Sequence, residues 1–179
     1  MEGVGERKQG NLELRRADSA SLELVGEITR RTIRTVYPHY YPQGVVDFFL
    51  RWHEGRRILP DVLAGEVYLL FDGGTAVGTV TLHGMEITRL YVPPEYQGKG
   101  YGRVLLDFAE RAIGGIWGKI RVEASLPAGA LYWKRGYRVT DFQTERQENG
   151  DVLCWNIMER EWIPRTKPQG SMTFRIWGD

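Results

Sequence analysis

In the stretch "RLYVPPEYQGKGYGRVLLDFAERAI", residues 89–113, the alternating glycines Gly98, Gly100 and Gly102 sit between an apolar segment and an amphipathic one. Glycines at a strand-to-helix junction let backbone N–H groups approach an anion closely, and the helix dipole favours negative charge there. The chemistry suggested is phosphate binding, with Lys99 and Arg103 adding positive charge at the rim. Spacing excludes two common nucleotide loops. A P-loop needs Ser or Thr after its lysine, and Lys99 is followed by Gly100. A dinucleotide fingerprint starting at Gly98 would need its third glycine where Arg103 stands.

A strand must lead into such a loop and a helix must leave it. "MEITRLYV" reads as the strand. "YGRVLLDFAERAI" reads as a helix that ends at Gly114-Gly115 and sets Leu105, Phe108, Ala109 and Ala112 on one face. Alternation in the strand slips by one position: Met85 and Ile87 share one parity, Leu90 and Val92 the other. Either a β-bulge near Thr88-Arg89 or a short strand buried on both faces produces that pattern. Upstream, "NLELRRAD" alternates as a strand, and "SASLELVGEITRRTIRTV" reads as a helix capped by Ser19 or Ser21. "VVDFFLRWHEGRRI" reads as a second helix carrying Val46, Phe49, Leu50 and His53, and "EVYLLFDGGTAVGTVTLHG" as a hairpin turning at Asp72-Gly73-Gly74. Downstream, "KIRVEAS" is a strand, and strand, helix, strand in that order suggest a parallel pair joined by a helical crossover. A short helix between Pro127 and Gly136 and two strands around Asn149-Gly150-Asp151 complete the series.

The chain has 179 residues, enough for one domain with a real core, and its 42% apolar and 26% charged residues are ordinary for a globular protein. It divides into a polar leader over 1–10, a domain over 11–162, and a tail or docking arm over 163–179. Phe174 and Trp177 would seat that arm on the body or on a second copy in a homodimer. The formal net charge of +1 carries no polyelectrolyte signal, so nucleic acid is not an expected partner. No apolar run reaches the roughly eighteen residues of a membrane span, and the start lacks the order of a signal peptide; the expected location is cytoplasmic, with no membrane partner. The 3 histidines lack a partnering acidic or cysteine cluster, which argues against a catalytic metal. The single Cys154, in the apolar run "VLCWNIM", reads as a buried small hydrophobe.

The central block resembles the GCN5-related N-acetyltransferase (GNAT) superfamily. The phosphate loop of that family reads Gln or Arg, two variable residues, Gly, one variable residue, then Gly or Ala; Gln97, Gly100 and Gly102 match in order, and "LYWKRGYRV" after the next strand matches as well. The resemblance implies an α/β (α+β) fold: a central mixed, mostly antiparallel sheet of about seven strands, a splayed parallel pair, and helices on both faces. It implies acetyl-CoA (coenzyme A) as donor. Its pyrophosphate would be held by Gln97, Gly98, Lys99, Gly100, Tyr101, Gly102 and Arg103, and its acetyl and pantetheine parts by Leu90, Tyr91 and Val92. Many relatives contact the coenzyme through an asparagine where Ser125 stands here, a departure that leaves only a hydroxyl.

Acetyl transfer requires deprotonation of an ammonium of pKa near ~10.4, stabilisation of an oxyanion, and protonation of a thiolate. The resemblance implies Glu86 as base and Tyr132 as acid; their plainer roles are a strand-end carboxylate and a core tyrosine. Glu123, which shares a strand face with Arg121, is a rival base, or half of a cross-strand ion pair. In "VYPHYYPQG", Tyr37, His39, Tyr40 and Tyr41 could surround a cationic amine together with His53 and Glu123, or simply close the core. The expected activity is acetyl transfer to a primary amine of a small molecule. Its alternatives are a protein N-terminal or lysine acetyltransferase and, in another class, a noncatalytic acyl-CoA-binding sensor.

Overall fold

The computed structural model describes residues 12–164; the leader and the arm with Phe174 and Trp177 lie outside the described residues. Strands β1 (Leu12–Arg16), β2 (Val67–Asp72), β3 (Thr75–His83), β4 (Glu86–Tyr91), β5 (Lys119–Ser125), β6 (Arg138–Arg146) and β7 (Val152–Glu161) form one sheet in the order β1-β2-β3-β4-β5-β7-β6. Neighbours are antiparallel except β4 and β5, which run parallel.

Helices α1 (Leu22–Val36), α2 (Gln43–Trp52) and α3 (Gly55–Leu63) cover one face, and α4 (Tyr101–Trp117) and α5 (Leu126–Lys134) the other. Strand alternation feeds both cores. Val67 and Leu69 join Val25, Ile28, Val45 and Ile58 under the first three helices, whereas Leu70, Ile87 and Val122 join Leu105, Ala109 and Tyr132 under the last two.

Several local readings are corrected. Ser21 does stand at the N-cap position of α1 but makes no side-chain cap bond; the capping bond belongs to Asp18, which starts the 3-10 turn Ser19–Ser21 and whose Oδ1 accepts the Ser21 N–H at 2.9 Å. The helix expected through His53 is two helices, because the chain turns extended at Glu54 (φ −66°, ψ 155°), leaving His53 as the C-cap of α2. α4 continues through Gly114-Gly115 to Trp117 and stops at Gly118 in the left-handed region (φ 69°). Gly114 serves close approach instead, since a Cβ there would lie 2.3 Å from the Trp162 ring. Ile113 is buried and Ala112 only half-buried, and Cys154 is half-buried as well.

The feature that positions the site is the break between β4 and β5. Thr81 faces Arg89 and Leu82 faces Ile87, so Thr88 is the extra residue of a bulge in β4. On the other edge, β4 pairs with β5 only through Glu86–Arg121 and Ile87–Val122. Beyond them the strands part and open the sheet from both faces. Two latches hold the opening. The Tyr41 hydroxyl accepts the Leu126 N–H at 2.8 Å and donates to the Cys154 carbonyl at 2.9 Å. The Gly44 N–H, in the first turn of α2, donates to Asp151 of the β6–β7 turn at 2.9 Å.

Candidate active site

A cavity of about 320 Å³ fills this opening. Residues 87–91 of β4 form one wall, with Glu123 and Ser125 of β5 opposite. Tyr37, Phe48, Phe49, Trp52 and His53 close the side under α2, Trp155 and Glu145 come from the last hairpin, and Tyr132 and Ala128 come from α5. Phe49 and His53 were legible on a helical face with Val46 and Leu50, but Phe48 and Trp52 were not singled out, and nothing in the chain aims any of them at β4. Arg89, Glu145 and Trp155 carried no local signal.

Of the six residues expected around an acceptor, Tyr37, His53 and Glu123 line the cavity. His39 and Tyr40 are exposed, and Tyr41 is buried in the latch described above. Glu86 is not among the lining residues; its Oε1 lies 3.1 Å from Arg121 Nη1, and Glu123 Oε1 lies 3.9 Å from Nη2 of the same arginine. The two carboxylates flank one cation, and Glu123 is the one on the cavity. The Tyr37 hydroxyl shares hydrogen bonds with Tyr91 (3.4 Å) and Ser125 (3.2 Å), so Ser125 is tied across the sheet opening.

Burial raises the phenol of Tyr132 well above its ordinary value, with the nearby Tyr37 and Glu110 adding to the shift. It is therefore protonated at neutral pH. Among the described residues its hydroxyl has no hydrogen-bond partner, although it lines the cavity. His53 is 5% exposed and pushed down to about 3, first by burial and then by Arg89, so it is neutral. Arg89 is ion-paired with Asp61 and donates its Nε–H to His53 Nδ1 at 3.2 Å.

The glycine loop lies where β4 hands the chain to α4. Gly98 (φ 72°) and Gly100 (φ 95°) occupy conformations that disfavour side chains, and a Cβ on either would meet open space. Gly102 is helical, with only the Val92 side chain at 3.8 Å. Gly100 caps α4 without any side-chain hydrogen bond, which leaves first-turn N–H groups available to an anion. Gln97 braces the turn by donating to the Val92 carbonyl at 2.9 Å, and Tyr101 donates to Asp72. Lys99 Nζ lies 5.4 Å over the Tyr96 ring, and Arg103, Leu131, Lys134 and Arg135 line a second cavity of about 360 Å³ beside the loop. Arg135 is engaged by Asp107 and Glu110, so Arg103 and Lys134 are the cations on that cavity without an ion pair among the described residues. An open glycine turn, free helix N–H groups and a cationic wall fit a diphosphate-bearing group.

Residues 64–139 match the family described as "Acetyltransferase (GNAT) domain". The chain is 25% identical over 146 residues to the spermidine N(1)-acetyltransferase of Thermoplasma acidophilum, covering 73% of this chain and 91% of that protein. Among solved structures, a GCN5-related N-acetyltransferase of Rhodopseudomonas palustris superposes with a TM-score of 0.76 at 22% identity, over 89% of this chain and all of that one. The PaiA N-acetyltransferase of Thermoplasma acidophilum, solved with coenzyme A, gives 0.66 at 23% identity over 85% and 99%. No helix among the described residues is long and apolar enough to cross a membrane.

Proposed function

The chain belongs to the GNAT acetyltransferases, and we propose that it moves an acetyl group from acetyl-CoA to the primary amine of a small molecule by direct attack. The observation that carries this reading is the parting of β4 and β5 beyond Ile87, which joins the glycine-loop side of the sheet to a cavity lined by Glu123 and by an unpartnered Tyr132. Acetyl-CoA, when bound, supplies a thioester carbonyl as electrophile. The loop from Gly98 to Gly102, Arg103 and Lys134 would hold its phosphates, and Leu90 and Val92, beyond the last β4–β5 pair, would face its arm.

Each chemical task has a residue. The ammonium must lose a proton before its nitrogen can attack, and of the two carboxylates beside Arg121 it is Glu123 that lines the cavity; Glu86 would act at one remove, through water. The Leu90 N–H would receive the charge developing on the carbonyl oxygen. Tyr132, raised by burial, is a weak acid. Its contribution is a hydrogen bond to the departing sulfur, with complete proton transfer following as charge builds.

A cavity of about 320 Å³, near the lower end of ligand cavities, supports a small acceptor over a protein chain. Coenzyme release measured as free thiol, with acetyl-CoA and a panel of primary amines, tests the reading. Release above the amine-free rate supports it. Binding of acetyl-CoA with no release for any amine would instead support a noncatalytic sensor.

A further inference from the structure

The far wall of the acceptor cavity contains a polar group for which acetyl transfer has no use. His53 caps α2 between the Phe49 ring, stacked at 6.3 Å, and the Tyr91 ring, edge-on at 5.5 Å. Its Nδ1 accepts from Arg89 Nε at 3.2 Å. An imidazole nitrogen that accepts carries no proton, so in the neutral ring the proton resides on Nε2. Among the described residues Nε2 has no hydrogen-bond partner, and it is not one of the atoms sealed from solvent. The residue lines the cavity, so this N–H is a donor left open on the cavity side of a side chain 5% exposed.

The charge around it selects the complement. Arg89, itself held by Asp61, polarises the imidazole from behind, so a second ammonium set against Nε2–H meets a donor backed by a cation. An oxygen acceptor meets the opposite. The cavity that holds this donor and Glu123 is also lined by Phe48, Phe49, Trp52 and Trp155, which suit an apolar or aromatic body. The carboxylates on the cavity are Glu123, already beside Arg121, and Glu145 on exposed β6.

We infer that His53 is a specificity-determining residue whose fixed Nε2–H donor selects, as acceptor, a monoamine with an apolar body and a neutral oxygen such as a hydroxyl, ether or carbonyl, in preference to a polyamine. The inference rests on the proposed acetyl transfer and deepens it. It also sets this chain apart from the spermidine enzyme it resembles in sequence.

The test ranks three probes by kcat/KM with saturating acetyl-CoA: phenethylamine, its hydroxylated counterparts (tyramine and the meta isomer), and spermidine. The expected order is a hydroxylated amine above phenethylamine by roughly five- to tenfold, the worth of one buried hydrogen bond, with spermidine last. Spermidine first, or no gain from the hydroxyl, overturns the inference while leaving acetyl transfer standing. In His53→Phe the hydroxyl preference collapses to near unity, and in His53→Gln, which keeps an N–H donor, part of it returns; an unchanged ratio in both overturns it. Nitrogen NMR of the wild-type imidazole at neutral pH needs no variant: protonated Nε2 and bare Nδ1 support the assignment, and the opposite tautomer sinks it. If no amine is turned over, the proposed function fails separately. Ranking the same probes by quenching of Trp52 and Trp155 fluorescence then decides the inference by the same order.

Discussion

The glycine loop and the aromatic cavity both adjoin one strand, β4, which lines the cavity and then runs on into the loop, yet they are built on different principles. The loop offers backbone: its N–H groups come from consecutive residues, and the turn depends on φ 72° at Gly98 and 95° at Gly100. The cavity offers side chains: Tyr37, Trp52, Tyr132 and Trp155 are brought together from four separate elements and held by latches at Tyr41 and Gly44. A backbone site recognises a group shared by many ligands and tolerates little change of conformation. A side-chain site is free to vary residue by residue, which is how one donor can serve many acceptors. Substitutions on the two sides should therefore fail differently, the loop in coenzyme affinity and the cavity in turnover or acceptor choice.

The largest effect is expected on the cavity side at the reacting centre. Tyr132→Phe should lower kcat by about 10²-fold, the lower end for a positioned proton donor, while the KM for acetyl-CoA moves little. A parallel loss of coenzyme affinity would mean that Tyr132 is a packing residue of the coenzyme side. Next, Glu123→Gln should cost on the order of 10²-fold in kcat and Glu86→Gln less than about tenfold, because only Glu123 reaches the cavity. The reverse order in rate measurements would move the base to Glu86. On the loop side, Gly100→Ala, strained at φ 95°, should raise the KM for acetyl-CoA roughly tenfold with kcat retained, whereas Gly102→Ala should stay near wild type. Equal effects of the two would break the division between a backbone half and a side-chain half.

The smallest effect concerns stability. His53 is depressed from 6.5 to about 3 on folding, so between those values the unfolded chain binds a proton that the folded chain does not. Stability is then complete above pH 6.5 and falls as the pH drops through that window, by up to ~1.4 kcal/mol per pH unit. Denaturant titrations of wild type and His53→Gln from pH 7 to pH 5 should show a steeper decline in wild type. Equal slopes would mean that His53 is not held neutral.

How much of this was legible depended on where the information lay along the chain. The strand order around the crossover, the slip at Thr88 and the loop itself could be read because each is local: parity, glycine spacing and helix periodicity need only a window of neighbours. The helix boundaries failed where a neighbour overruled the local signal. Gly114 looked like a stop but is a contact for Trp162, and the break after His53 is set by an extended Glu54 with no proline or glycine before it. The acceptor side was the least legible. "VYPHYYPQG" drew attention to four aromatic or imidazole rings, of which only Tyr37 lines the cavity, while Arg89, Glu145 and Trp155 gave no warning.

By itself, then, the sequence determined the glycine loop: a loop contiguous in the chain carries its own conformational signature, because positive φ favours glycine and a glycine at the N-cap brings no side chain to occupy the first-turn N–H groups. Only the tertiary structure decided which of Glu86 and Glu123 lines the cavity, that the Tyr132 hydroxyl has no hydrogen-bond partner among the described residues, and that His53 Nδ1 is held by Arg89. Those are relations between side chains separated by tens of residues. They come into being only when the packing of two cores brings them within hydrogen-bonding reach.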